Sequence, residues 1–143
     1  MDKIIEEKIL PYLLEFREMI GYKKELPISE PYEPYIEQNK KQYPNADSPG
    51  VYIFYSESAG LLYIGKCSTD LGFRIWSHLQ KPGKPSEPYP NAEKWVKDHQ
   101  KENLKFVTIP FIREHYFLAS ALEEYLIDKC KPKANAIGKT RRK

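Results

Sequence analysis

Two short aromatic and β-branched runs, Gly50-Val-Tyr-Ile-Phe-Tyr55 and Leu61-Leu-Tyr-Ile-Gly65, lie close together near the middle of the chain. Residues of this kind suit a pleated surface, and the intervening Ser56-Glu-Ser-Ala-Gly60 has turn chemistry. The pair predicts a β-hairpin with a loop of about five residues. The remaining segments have to be arranged around it.

Downstream, Leu71, Ile75 and Leu79 share one helical face, so a helix is expected over about residues 70–79, capped by Asp70 or Thr69. Residues 80–90 carry Pro82, Pro85, Pro88 and Pro90 and read as a loop. A short helix over 91–100 with Trp95 inward, a third strand over 105–109, and a final helix over 114–130 stopped by Pro132 complete this half. Upstream, Ile5, Ile9, Leu13, Phe16 and Ile20 recur at helical spacing, with Gly21 where a C-terminal cap would sit. Pro11 kinks that helix or restarts it. From residue 22 to 49 the periodicity disappears among five prolines. Tyr32, Tyr35 and Tyr43 nevertheless make the stretch too aromatic for a free tether. An extended arm laid over the domain is expected. The fold class is therefore α/β, a small three-stranded, mostly antiparallel sheet flanked by helices. Residues 1–49 form the helix and arm, 50–137 one domain, and 138–143 a basic tail.

At 143 residues the chain has room for one ordinary core. Its 41% hydrophobic and 30% charged residues are the balance of a soluble domain. No apolar run approaches the roughly 20 residues needed to span a bilayer. The first residues mix acids into their apolar positions and lack a small-residue cleavage site, unlike a signal peptide. Cys67 and Cys130 lack metal-ligand spacing and fit reduced thiols, so an intracellular, cytoplasmic protein is expected. The net charge of +3 is unevenly spread. Residues 1–49 hold seven Lys/Arg against ten Asp/Glu, and residues 50–143 hold sixteen against ten. The last fifteen residues include Lys131, Lys133, Lys139, Arg141 and Arg142 and no acid, which suits either a polyanionic partner or a solvated end.

Singly, the residues that carry chemistry say little. Tyrosines are good strand formers, Arg74 and His78 share a helix face that solvent alone would explain, and Glu123 and Glu124 read as surface carboxylates. Together they are specific. Gly50-Val-Tyr52, Tyr63-Ile-Gly65, Arg74 in Leu-Gly-Phe-Arg-Ile, His78 one turn on, and Glu123 with a closing Pro132-Lys-Ala-Asn135 follow one another in order. This series resembles the GIY-YIG nucleases, with Val in place of the usual Ile of the first motif. The resemblance covers residues 50 to about 137 and leaves the N-terminal segment and the last six residues outside.

The resemblance implies an endonuclease that hydrolyses DNA with a divalent cation, Mg²⁺ or Mn²⁺. Arg74 then serves phosphate oxygens as charge builds. Glu123 is the metal ligand, and a single carboxylate suits an ion that keeps several waters. Tyr52 positions or deprotonates the attacking water, with Tyr63 as the supporting phenol and His78 holding Tyr52 or taking its proton. Asn135 orients the site. An unperturbed phenol titrates near 10, so Tyr52 is expected to be lowered by Arg74, the metal and Lys66. Lys66 and the basic tail are the expected nucleic-acid contacts. Two other readings stay open. One is a catalytically silent nucleic-acid-binding domain of the same fold. The other is an interaction module whose N-terminal helix docks on its own domain, binds a partner or pairs two copies into a homodimer.

Overall fold

The computed structural model describes residues 1–135. The hairpin forms as β1 (Gly50–Ser56) and β2 (Gly60–Cys67), and β3 (Lys105–Pro110) joins the other side of β1. All pairing is antiparallel and the order is β2-β1-β3. The hairpin loop is shorter than expected, because Ser56 already pairs with Gly60 and leaves Glu57, Ser58 and Ala59 to turn. Gly60, at φ +82°, supplies the left-handed residue that a three-residue loop requires.

The central strand β1 is buried along its whole length. Its alternation sends Val51, Ile53 and Tyr55 to one face and Tyr52 and Phe54 to the other. A bulge at Leu62, between the pairs Phe54–Tyr63 and Tyr55–Leu61, breaks the alternation of β2. Leu62 therefore joins the Tyr52 face while Ile64 joins the Val51 face.

Helices cover both faces. On the Val51 face lie α1 (Lys3–Lys8), α2 (Leu10–Ile20) and α6 (Leu118–Cys130), through Ile5, Ile9, Leu13, Phe16, Ala119, Leu122, Leu126 and Ile127. The break between α1 and α2 falls at Ile9, which places Pro11 in the first turn of the second helix, where its missing N–H costs nothing. The Asp2 carboxylate ties the N-terminus to the sheet by accepting from the Tyr55 hydroxyl at 2.6 Å and from Lys105 at 3.2 Å. The apolar stripe of the N-terminal helix thus docks on its own domain.

On the Tyr52 face lie α4 (Leu71–Leu79) and α5 (Lys94–Asp98). Asp70 occupies the N-cap position of α4 without capping through its side chain. The arm does that work instead, since the carbonyls of Ser48 and Ala46 accept from the N–H groups of Leu71 and Gly72. In α5, Val96 is the fully buried residue and Trp95 is only partly so. The final helix begins at Leu118, later than expected, after a helical turn at Arg113–His115.

Both sheet edges are covered. Residues 29–32 of the arm run beside β3, where Tyr32 exchanges two backbone hydrogen bonds with Phe106 at 2.9 Å each. The arm is not extended throughout, since α3 (Pro34–Glu37) makes a helical turn in it. On the β2 edge, the Asn135 amide accepts from the Ile64 N–H at 2.8 Å and donates to the Ile64 carbonyl at 3.1 Å, as a neighbouring strand would.

Leu13 is 1% exposed between the helices and the sheet, whereas Leu14 beside it is 51% exposed. Leu13→Ala is expected to destabilise the fold by roughly 2–5 kcal/mol. Leu14→Ala should change it by no more than about 0.5 kcal/mol. Urea unfolding of the two variants checks the docking of this helix, and equal midpoints would contradict it.

Candidate active site

The site lies on the Tyr52 face of the sheet. Tyr52 is wholly buried, and a buried hydroxyl needs a partner. It finds His78, whose Nε2 lies 2.6 Å from the phenol oxygen. His78 is 3% exposed, so it does not lie on a solvated helix face. Arg74, one turn earlier, stays exposed, and its charge acts on the Tyr52 phenol. Helix α4 thus delivers an imidazole and a guanidinium to the same phenol.

The strand motif explains how the phenol fits. Tyr52 pairs across the hairpin with Gly65, and its ring lies over that residue. A Cβ on Gly65 would sit 2.3 Å from the Tyr52 oxygen. Tyr63 follows on the same face, with its ring 6.2 Å from that of Tyr52 and 5.1 Å from His78.

On the carboxylate helix, Glu123 is half-buried and Glu124 is exposed. Ala119, Leu122, Leu126 and Ile127 are the buried residues of this helix, and the Tyr125 ring lies at the margin against Phe16. Glu123 stands between Ala119 and Ile127 on that row, and its charge reaches Tyr52.

The electrostatics differ from expectation. Burial drives the Tyr52 phenol far above its ordinary value, Tyr63 and Glu123 add to the rise, and Arg74 offsets only part of it. Lys66 contributes nothing comparable, because its ammonium turns toward Ser68 at 3.4 Å. Burial also pushes the His78 imidazole below its usual range, while nearby Glu93 pulls it back up and Arg74 adds to the fall. The neighbouring Tyr52 oxygen strengthens the hold of Arg74 on its proton.

Glu93 was not singled out from the sequence. Its Oε1 lies 2.8 Å from His78 Nδ1, and its Oε2 accepts from the Trp95 indole N–H at 2.9 Å. Trp95 in turn stacks on Tyr63 at 4.9 Å and 14°. Fifteen residues and a proline-rich loop separate Glu93 from His78, so no spacing rule connects them.

Other expected residues lie apart from this cluster. Asn135 is engaged with the backbone of Ile64 on β2. Lys131 and Lys133 are exposed beyond the end of α6. Lys139, Arg141 and Arg142 lie outside the described residues. Among the described residues no group of three or more His, Cys, Asp or Glu side chains is placed to hold a metal ion. No helix among them is long and apolar enough to cross a membrane.

A hairpin-led antiparallel sheet between helices, with both motif tyrosines on one face, has the architecture of a small nuclease domain. The family model described as the GIY-YIG catalytic domain matches residues 48–135, more than half of the chain, and the chain belongs to this family of nucleases. No curated protein and no solved structure matches it.

The close approach of Tyr52 to Gly65 makes a direct test. Gly65→Ala is expected to push the phenol off His78 and to destabilise the protein by roughly 1–3 kcal/mol. Chemical denaturation gives the stability, and the His78 ring resonances report the phenol. Unchanged resonances in a stable variant would mean that the ring does not depend on this glycine.

Proposed function

We propose that the protein is a DNA endonuclease that hydrolyses phosphodiester bonds at the Tyr52 site with a divalent ion, Mg²⁺ or Mn²⁺. The observation that carries this reading is the buried Tyr52–His78 hydrogen bond beside Arg74, in a chain of a nuclease family.

Arg74 is exposed and carries a planar pair of donors, which suits a phosphate oxygen better than a phenol. An incoming phosphate engages the exposed guanidinium of Arg74 beside Tyr52. Tyr52 then takes a proton from the attacking water while its own passes to His78 Nε2, so no free phenolate is needed in the resting protein. The water oxygen bonds to phosphorus, the bond to the leaving oxygen breaks, and Arg74 stabilises the charge gathered on the phosphate. Tyr63 supports the arrangement by stacking between Tyr52 and Trp95. Glu123 would hold the ion, and one half-buried carboxylate fits Mg²⁺, which retains waters and takes other ligands from phosphate. When bound, the ion supplies Lewis-acid stabilisation of the leaving oxygen. Lys66, Lys131, Lys133, Lys139, Arg141 and Arg142 are proposed to contact the nucleic-acid backbone, a term that weakens with salt.

Supercoiled plasmid with Mg²⁺ should become nicked or linear, and chelation should stop it. Tyr52→Phe, Arg74→Ala and Glu123→Ala should each lower the rate by at least about 100-fold while keeping the fold. Glu124→Ala should cut normally and shift stability by only a few tenths of a kcal/mol. Binding without cleavage by the wild-type protein would leave a silent nucleic-acid-binding domain. Loss of activity in Glu124→Ala instead of Glu123→Ala would overturn the assignment of the carboxylate.

A further inference from the structure

We infer that Glu93, with Trp95 behind it, is a positioning residue that fixes the tautomer of His78 and so sets the direction of the Tyr52–His78 hydrogen bond. The inference rests on the proposed role of Tyr52 as the group that meets water. Its first consequence can be read without any cleavage.

The geometry allows His78 two neutral forms. A carboxylate only accepts hydrogen bonds, and Glu93 Oε1 stands 2.8 Å from Nδ1. With the proton on Nδ1, the ring faces that oxygen favourably, although the approach is too oblique for a well-aligned hydrogen bond. With the proton on Nε2, a bare ring nitrogen and a carboxylate oxygen, both acceptors, would stand 2.8 Å apart with no proton between them. The Nδ1–H form is therefore selected. It leaves Nε2 as an acceptor 2.6 Å from Tyr52, so the phenol must donate. The same logic operates wherever an acid orients a histidine that serves a hydroxyl.

The surroundings of Glu93 show that its side chain is committed to this contact. Glu93 occupies the N-cap position of α5, yet its carboxylate does not cap that helix. It reaches back to His78 and is held by the Trp95 indole at 2.9 Å, and its own backbone N–H donates to the His78 carbonyl at 3.0 Å. Trp95 is itself fixed by its stack on Tyr63. A chain of contacts thus runs from Tyr63 through Trp95, Glu93 and His78 to Tyr52, from three separate parts of the sequence.

When Tyr52 passes its proton to Nε2 and takes one from water, the ring becomes an imidazolium between the Tyr52 oxygen and the Glu93 carboxylate. The charged and titratable groups facing His78 are Tyr52 from β1, Tyr63 from β2, Arg74 from its own helix and Glu93 from the segment before α5. Of these, Arg74 disfavours the imidazolium and Glu93 favours it. Removing the Glu93 charge while keeping its shape should make the imidazolium harder to form. His78 must be neutral to accept a proton, so the acid limb of the pH–rate profile should then move to lower pH.

The test uses the full chain and Glu93→Gln, a substitution at a side chain that is 46% exposed and that the fold should tolerate. In the wild-type protein near neutral pH, nitrogen-15 resonances of His78 should show Nδ1 protonated and Nε2 bare. In plasmid cleavage with Mg²⁺, Glu93→Gln should lower kcat by about 10- to 100-fold with KM little changed. Its acid limb should fall at lower pH than that of wild type. Trp95→Phe, which keeps an aromatic stack but loses the indole donor, should move both readings the same way by less. An Nε2–H tautomer in wild type overturns the inference, as does a Glu93→Gln protein with unchanged kcat and acid limb. If the wild-type protein cuts nothing, the nuclease reading falls, and the tautomer measurement still decides what Glu93 does.

Discussion

The structure depends on a single strand with no exposed side. Every residue of β1 is buried, it is flanked by β2 and β3, and both of its faces meet helices. A strand in that position cannot leave backbone or side-chain polar groups unpaired without a cost of a few kcal/mol each. That constraint explains much of the rest. The N-terminal helices must close one face, α4 and α5 the other, and the outer edges of β2 and β3 must be patched by Asn135 and the arm.

The candidate site follows from the phenol that β1 carries on its α4 side. Tyr52 brings a phenol into a sealed position, and the fold answers with His78 on the covering helix and Gly65 on the neighbouring strand. A phenol held so far from its ordinary titration range is a poor base unaided. In the proposed reaction the imidazole at 2.6 Å receives its proton, and Arg74, exposed on the same helix, meets the substrate. Burial and reactivity are therefore reconciled by neighbours and not by access alone.

The arm has a similar double role. By lending the carbonyls of Ala46 and Ser48 to the first turn of α4, it holds in place the helix that carries Arg74 and His78. Ala46 also rests against Gly72, where a Cβ would come within 2.8 Å. A segment at the upstream boundary of the family match, Ala46 before it and Ser48 at its first residue, thus braces the helix on which the proposed chemistry relies.

The sequence by itself determined the hairpin, the order of the elements and the identity of Tyr52, Tyr63, Arg74, His78 and Glu123 as candidates. Those features are local or motif-borne: alternation marks strands, spacing of three and four marks helices, and the motifs follow one another along the chain. Only the tertiary structure decided the rest. The burial of His78, the rise rather than fall of the Tyr52 phenol, the turn of Lys66 toward Ser68 and the contact of Glu93 with His78 all depend on which segments meet across the sheet. Desolvation is a property of the closed fold, and a contact between residues 78 and 93 is set by how a proline-rich loop returns, which no periodicity encodes.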